Sequence, residues 1–389
     1  MDIGVFGARA IPSTYSGYET FLSALLPELA RRGHRVTMYC RTDHFGRPSM
    51  YRGVRLVPLP AIDTTRLSTL SHGLLAAIAA RSAGHDVVLV VNVANVPYCI
   101  ASRITRQRVV MNTDGQEWLR GKWGVTARRY FKWCAGRARF AACALVADSN
   151  EMKRIYVSEF GSDSTVIPYA SIAWQDVGLS ETLAEFDVEP GQFVVVAARL
   201  NPENNVDRVA AAYARSSLSM PLLVLGVANY TSETARHIRE LADRDDRIRP
   251  IGHVADRRTF GALLHYAKAY VHGHSVGGMN PSLVEAMSAG ALVIALSTPF
   301  NVEVLGEAGE YFDFDGDSLV NMLDSLAQLD EHLESKYRAL ASTRAEERYA
   351  LAEVASTYEY LLTKVARLES PWSQVQTLTA WDAVADGAT

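Results

Sequence analysis

The sequence predicts an α/β protein built from two Rossmann-like, doubly wound domains that face each other across a cleft. Three observations carry this expectation. At 389 residues the chain has the length of about two domains. β-rich runs alternate with helical patterns in two successive series, the second starting near residue 170, and such alternation implies parallel sheets covered by helices on both faces. The charge reverses at the same place: residues 1–170 hold 22 Lys+Arg and 12 Asp+Glu, which leaves 17 and 31 of the totals for 171–389. Two halves of opposite sign suggest two domains with different partners.

In chain order, the first series reads "DIGVF", "RVTMYC", "VRLVPL", "DVVLVVN", "RVVMN" and "ALVADS". Between the first two lies 18-YETFLSALLPELARRG-33, where Phe21, Leu22, Leu25, Leu26 and Leu29 share a helical face and Gly33 is a stop signal. The second series reads "QFVVVAARL", "PLLVLGV", "IRPIGH", "AYVHGH" and "ALVIALS". A helical segment follows at 346–368, and 371–389 reads as a loosely ordered tail. The expected domains are therefore 1–170 and 171–345, with the late helix packing back on the first.

Composition excludes several classes. With 48% hydrophobic and 21% charged residues the chain is globular. Cys40, Cys99, Cys134 and Cys143 lie far apart with no CxxC pair, which argues against a zinc site or disulfide framework and fits a reducing cytosol. The opening MDIGVFGARA reads as a strand and not as a signal peptide, and no apolar run approaches the roughly 20 residues of a spanning helix.

Ligands of doubly wound sheets bind beyond the carboxyl ends of the strands, so the loops there hold the candidate site. The first, 7-GARAIPSTYSGYET-20, is too widely spaced for GxGxxG. It is either a structural turn or a place where backbone N–H groups around Gly17, Tyr18 and Glu19 meet a phosphate or sugar hydroxyl. The second, 112-NTDGQEWLRGKWG-124, carries Asp114 and Glu117. From Trp118 to Ala147 there is then no acid. Seven cations, including Arg128, Arg129 and Lys132, interleave with Trp118, Trp123, Tyr130, Phe131 and Trp133. That pattern suits a helix lying on an anionic membrane surface, or nucleic acid, or a solvated helix with its aromatics in the core.

In the third loop, 198-ARLNPENNVDRV-209, the Arg199 guanidinium suits a diphosphate, because its fork matches two oxygens. The fourth stretch is 274-HSVGGMNPSLVEAMSAG-290. Gly277 and Gly278 allow close backbone approach, Asn280 suits an N-cap, and Pro281 suits the first helical position. The helix start, with Ser282, can stabilise a negatively charged leaving group. Glu285 follows one turn later, and its carboxylate suits a ribose diol. A surface position on an amphipathic helix is its alternative.

On these residues the chain resembles the GT-B fold glycosyltransferases of family 4 along essentially its whole length. "PSLVEAMSAG" matches the second half of their signature, with Glu285 as the second Glu. The first Glu falls on Gly277, so His274 or the bare loop takes its place, and the Lys of the family's Arg…Lys diphosphate pair falls on Asn204. "GARAIPSTYSGYETF", "NTDGQEWLRGKW", "ARLNPENN" and "HGHSVGGMNPSLVEAM" are together similar to a bacterial group that contains rhamnosyltransferases of polysaccharide assembly. The resemblance implies a retaining enzyme, with dTDP-L-rhamnose or another sugar nucleotide as donor and an undecaprenyl-diphosphate-linked saccharide as acceptor. It also implies a cytoplasmic site, peripheral on the inner face of the membrane.

The donor residues it implies are Arg199, Asn204, His274, Gly277, Gly278, Asn280, Pro281, Ser282 and Glu285. Gly17, Tyr18 and Glu19 would take the acceptor, Asp114 and Glu117 the chemistry, and Arg128, Arg129, Lys132 and Trp133 the membrane. No DxD-like motif sits at a suitable loop, so no metal or other cofactor is expected. UDP-hexose or UDP-N-acetylhexosamine donors, and a GT-B epimerase, remain as alternatives. A nicotinamide oxidoreductase would need the missing GxGxxG, and the acidic second half argues against nucleic acid.

Overall fold

The computed structural model describes residues 1–12, 17–42, 49–62, 64, 67–121, 123–171, 180–227, 233–370 and 372–373. The tail expected at 371–389 lies outside these but for 372–373, as does Lys122. The chain divides into two compact units. The first comprises Met1–Leu119, Trp123–Ala170 and Leu351–Thr389, and the second Arg120–Lys122 and Ser171–Ala350.

The first unit opens with β1 (Asp2–Phe6), α1 (Gly17–Arg31), β2 (Arg35–Arg41), β3 (Met50–Tyr51) and β4 (Val54–Leu59). It continues through α2 (Ser68–Ala83), β5 (Val87–Val91), α3 (Val96–Ile104), β6 (Val109–Asn112), α4 (Val125–Ala141), β7 (Ala144–Ala147), α5 (Asn150–Phe160) and β8 (Thr165–Val166). The sheet order is β3-β4-β2-β1-β5-β6-β7-β8, parallel except for the short antiparallel β3–β4 pair. Every residue of β5, β6 and β7 is buried, which is why these strands read as unbroken apolar runs and not as alternating ones. α1 buries the five apolar residues that its sequence spacing puts on one face.

The second unit runs β9 (Val194–Ala197), α6 (Val206–Arg215), β10 (Leu222–Leu225), α7 (Glu233–Ala242), β11 (Ile248–Gly252), α8 (Arg257–Tyr266) and β12 (Ala269–His272). Then follow α9 (Pro281–Ser288), β13 (Val293–Leu296), α10 (Pro299–Leu305), β14 (Glu310–Phe312), α11 (Ser318–Ser325) and α12 (Glu331–Tyr349). Its sheet is parallel throughout, in the order β11-β10-β9-β12-β13-β14. The order reverses between β9 and β12, and the crevice beyond the carboxyl ends of those two strands is where such a sheet binds ligands. In the first unit the matching point lies between β1 and β5.

The segment expected as one helix at 346–368 is two. Ala350, at φ −58° and ψ 131°, leaves the helical region, so α12 stops at Tyr349 and α13 (Leu351–Ala366) begins anew. α13 belongs to the first unit. It buries Val354, Tyr358, Leu361, Leu362 and Val365, and Asn112 Nδ2 at the end of β6 donates to Tyr358 Oη at 2.8 Å. Arg32 and Glu359 add an ion pair at 3.0 Å.

The basic-aromatic stretch also differs from a single amphipathic helix. A short 3-10 turn covers Glu117–Leu119 and the helix proper starts at Val125. Trp118 and Phe131 are buried, and Tyr130 Oη donates to the Ala94 carbonyl at 2.8 Å. Of the five aromatics only Trp133 stands out into solvent, at 49% exposed. Trp123 and Tyr130 are half-buried, and Phe131 lies on the face that α4 buries, because a helix in contact with a sheet must bury one face.

Candidate active site

In the second unit the loops after β9 and β12 are fastened to each other. Ser275 donates both its N–H and its hydroxyl to the Glu203 carbonyl, each at 3.0 Å. Asn205 Nδ2 donates to the Gly273 carbonyl at 2.8 Å and to Ser275 Oγ at 3.0 Å. Gly273 has to be glycine here, because a Cβ would stand 2.9 Å from the Asn204 carbonyl oxygen. Two loops at a switch point are thereby held as one rigid wall.

Arg199 heads this wall, at the end of β9. Asn204, expected on the donor's diphosphate, is instead buried and donates its amide to the Arg199 carbonyl at 2.7 Å. A short neutral amide cannot reach out as the lysine in that family position would, and it folds the loop around Arg199. After β12 comes the glycine pair. Gly277 has φ +135°, a backbone conformation that a side chain would strain. Arg120, which folds with this unit, brings Nη2 to 3.7 Å from where a Cβ on Gly277 would be.

α9 then begins with Asn280 at the N-cap position and Pro281 at its start. Asn280 makes no side-chain cap bond, contrary to the capping role expected of it. The opening amides of α9, with Ser282 in its first turn, are therefore a place for an anion. Glu285, one turn on, is 8% exposed and paired with Arg257 Nη2 of α8 at 3.0 Å. Burial pushes its carboxyl above the usual range, while Arg257 pulls it back.

Two histidines border the same loop. The rings of His272 and His274 are stacked, with centroids 4.3 Å apart and planes 9° from parallel. Tyr270 Oη lies 3.1 Å from His272 Nδ1, while His272 Nε2 and His274 Nδ1 have no hydrogen-bond partner among the described residues. Burial pushes His272 down to about 3 and His274 well below its ordinary value, helped at His274 by the neighbouring imidazole, Arg199 and Arg120. Both rings are thus uncharged near neutrality. The signal that could have found His272 is the His-x-His spacing at a strand end, which puts both rings on one side of an extended chain.

In the first unit Gly7 lies against β5: a Cβ there would come 2.0 Å from the Val91 carbonyl. The loop 13–16 lies outside the described residues, and Gly17, Tyr18 and Glu19 open α1. Glu19 is buried and its carboxylate accepts the Arg9 N–H at 3.0 Å, which ties down the β1–α1 loop.

Asp114 follows β6 with φ 56°. Its N–H donates to Asn112 Oδ1 at 2.8 Å, and its Oδ1 accepts Tyr169 Oη at 3.3 Å. Tyr18 packs edge-on against Tyr169, with centroids 5.5 Å apart, so Tyr18, Tyr169 and Asp114 form one cluster. Burial first, and then the Asp114 charge, raise the Tyr169 phenol well above its usual value, so it stays a hydrogen-bond donor. No motif marked Tyr169. Glu117, expected beside Asp114, is buried and accepts Trp123 Nε1–H at 2.6 Å, so it holds the turn.

A hollow of about 410 Å³ lined by Gly191, Gln192, Lys268 and Glu334 lies elsewhere, at the amino ends of β9 and β12. That is the wrong end of the sheet for a ligand, and Lys268 is already paired with Glu334.

A Glycosyl transferase 4-like domain model matches residues 16–170, and a Glycosyl transferases group 1 model matches residues 184–340. No curated protein matches the chain in sequence. Among solved structures, Anabaena HepE in complex with UDP and glucose is similar over 93% of this chain and 99% of its own, with a TM-score of 0.72 at 15% identity. Sucrose-phosphate synthase from Thermosynechococcus elongatus is similar over 94% and 98%, with a TM-score of 0.77 at 16% identity. The E. coli trehalose-6-phosphate structure bound with UDP-2-fluoro glucose gives 95%, 99% and 0.73 at 11%. With two adjoining glycosyl transferase domains along its length and two Rossmann-like parallel sheets, the chain belongs to the family 4 glycosyltransferases of the GT-B fold.

Proposed function

We propose that this glycosyltransferase transfers L-rhamnose, with retention, from dTDP-L-rhamnose to an undecaprenyl-diphosphate-linked saccharide in cell-surface polysaccharide assembly. The observation that carries the donor half is the convergence of Arg199, the uncapped start of α9 and the bare Gly277–Gly278 loop at the switch point of the second unit. The diphosphate lies on Arg199 and the N–H groups of Asn280 and Ser282 on either side of Pro281, the ribose diol on Glu285, and the sugar beside His274 and the glycine pair. The acceptor binds the first unit, near Gly17, Tyr18 and Asp114. The bond from the anomeric carbon to the diphosphate oxygen breaks and the acceptor oxygen bonds to that carbon from the same face. The acceptor's proton passes to the departing diphosphate. Cations and N–H groups fixed before the reaction stabilise the charge growing on that leaving group.

The rhamnose assignment rests on the four-motif resemblance. A second reading, a UDP-hexose donor, is favoured by the similar HepE structure with UDP-glucose. A panel of sugar nucleotides, assayed for hydrolysis alone and for transfer to a lipid-linked saccharide, decides between them. Turnover with dTDP-L-rhamnose alone is the expected result, and turnover only with a UDP-sugar overturns the rhamnose reading.

Transfer is proposed to need no metal, because positive protein groups surround the diphosphate. Full activity in excess EDTA is expected, and an activity restored only by added Mg²⁺ or Mn²⁺ would refute it.

Peripheral attachment to an anionic leaflet is part of the same proposal. No helix among the described residues is long and apolar enough to cross a membrane. α4 instead exposes Arg129, Lys132, Trp133, Arg137 and Phe140, with Arg128 at its edge, and α2 exposes Leu74, Leu75 and Ile78. Each cation near an anionic surface contributes about 1 kcal/mol within a Debye length. Sedimentation with anionic vesicles should fall when Arg128, Arg129 and Lys132 are replaced by Glu, and should fall with salt. Equal binding to neutral vesicles would rule this face out.

A further inference from the structure

One acidic side chain at the switch point of the second unit is buried without a hydrogen-bond partner among the described residues. Glu203 follows β9 in the short turn Pro202–Asn204 and is 6% exposed. Neither Oε1 nor Oε2 has a hydrogen-bond partner among the described residues. Its backbone carbonyl, by contrast, takes both donors of Ser275. Its Oε2 lies 3.8 Å from where a Cβ on Gly121 would stand. The adjoining Arg120 reaches the Gly277 loop, and the unpartnered His274 is the neighbour of Ser275. Gly121 thus faces the carboxylate without a side chain of its own.

A buried carboxylate with both oxygens unspent is costly, and in a native protein it points to a partner that arrives from outside. The charge around it selects that partner. Arg199, Arg120 and the start of α9 suit the diphosphate, from which a carboxylate is repelled. The stacked imidazoles of His272 and His274, on the loop that the Glu203 carbonyl fastens, are neutral. What a carboxylate and neutral imidazoles recognise together is an uncharged group rich in hydroxyls.

We propose that Glu203 accepts hydrogen bonds from hydroxyls of the transferred sugar, one to each oxygen, and so helps select which sugar the enzyme moves. This rests on the sugar-nucleotide reading above. Hydrogen bonds to a charged group are the stronger kind, so the loss should be large.

Calorimetric titration of wild type, Glu203→Gln and Glu203→Ala with dTDP, UDP, dTDP-L-rhamnose and UDP-glucose tests it. Both variants should bind the free nucleoside diphosphates as wild type does and bind the accepted sugar nucleotide about 10- to 100-fold more weakly. Glu203→Gln should keep or raise the Tm, because it removes an unpaired buried charge. Unchanged sugar-nucleotide affinity in both variants overturns the assignment and leaves the enzyme reading intact. Equal weakening of diphosphate and sugar nucleotide, with a lower Tm, also overturns it, since Glu203 would then only shape the loop. A wild type that binds none of the four ligands overturns the sugar-nucleotide reading and this assignment with it.

Discussion

An Asp114→Asn enzyme is expected to keep its donor affinity and lose about 10²–10⁴-fold of its turnover. The hypothesis is that Asp114 accepts a hydrogen bond from the acceptor hydroxyl and orients it, so that its proton can pass to the departing diphosphate as the new bond forms. Its backbone sits at φ 56° beyond the end of β6, held by the Asn112 side chain. Asn tolerates that left-handed conformation better than most residues, so the substitution leaves the turn in place. Tyr169 Oη would still find an oxygen at this position, which keeps the packing against Tyr18. What disappears is the negative charge. Steady-state kinetics with the acceptor varied, beside a separate donor titration, checks this. A variant that transfers at the wild-type rate would show that Asp114 only shapes the turn.

The same substitution at Glu117 should act differently. Glu117→Gln removes a charged acceptor from Trp123 Nε1–H in a buried turn, so its effect should appear in Tm and not in the acceptor dependence of the rate. The two acids stand three residues apart in sequence, and sequence spacing could not separate them. The separation comes from the 3-10 turn at Glu117–Leu119, which swings one carboxylate inward while Asp114 stays at the strand end.

The fold was legible because burial leaves its mark on composition. β5 and β9 read as strands from valine-rich runs, and α1 from a stripe of five apolar residues, since each element has to bury a face. β3, β8 and β14 were not read: at two or three residues they show no periodicity, and neighbouring strands define them. The start of α9 was legible from Asn280-Pro281, because proline fits the first helical turn, and the bare loop from its glycine pair, because glycine readily adopts the φ of +135° found at Gly277. The tasks of Asn204, Glu19 and Glu117 were not. A side chain that folds back on its own loop and one that reaches for a ligand have the same letter. The partner that decides between them, such as the Arg199 carbonyl for Asn204, depends on coordinates. His272 and Glu203 were not legible for the converse reason: what sets them apart is buried polar atoms without a partner among the described residues, which sequence does not show.

At Glu285 the proposed contact to the donor ribose would combine with a stability cost in one residue. The expectation is that Glu285→Gln raises the donor KM and lowers kcat/KM about 10- to 150-fold, for a charged hydrogen bond to the ribose worth about 1.5–3 kcal/mol. The residue is not idle without donor, since it pairs with Arg257 at 3.0 Å. Arg257 is the more exposed partner and can turn to water, so freeing it should not unfold the protein. The pH dependence gives an independent check. Burial raises the folded-state value of Glu285 above its unfolded one, so the folded protein holds the proton more tightly. Stability from this group is therefore greatest at low pH and is lost as pH rises from the ordinary carboxylate value, about 4.3, through the raised folded value. At neutral pH, where the wild type carries a buried charge and Gln does not, Glu285→Gln should have a Tm equal to or above wild type, a difference that fades below about pH 4. Kinetics and thermal unfolding across that range measure both. Wild-type kinetics in the folded variant would remove Glu285 from the donor site, and a Tm drop at neutral pH that matched the loss of activity would make its role structural.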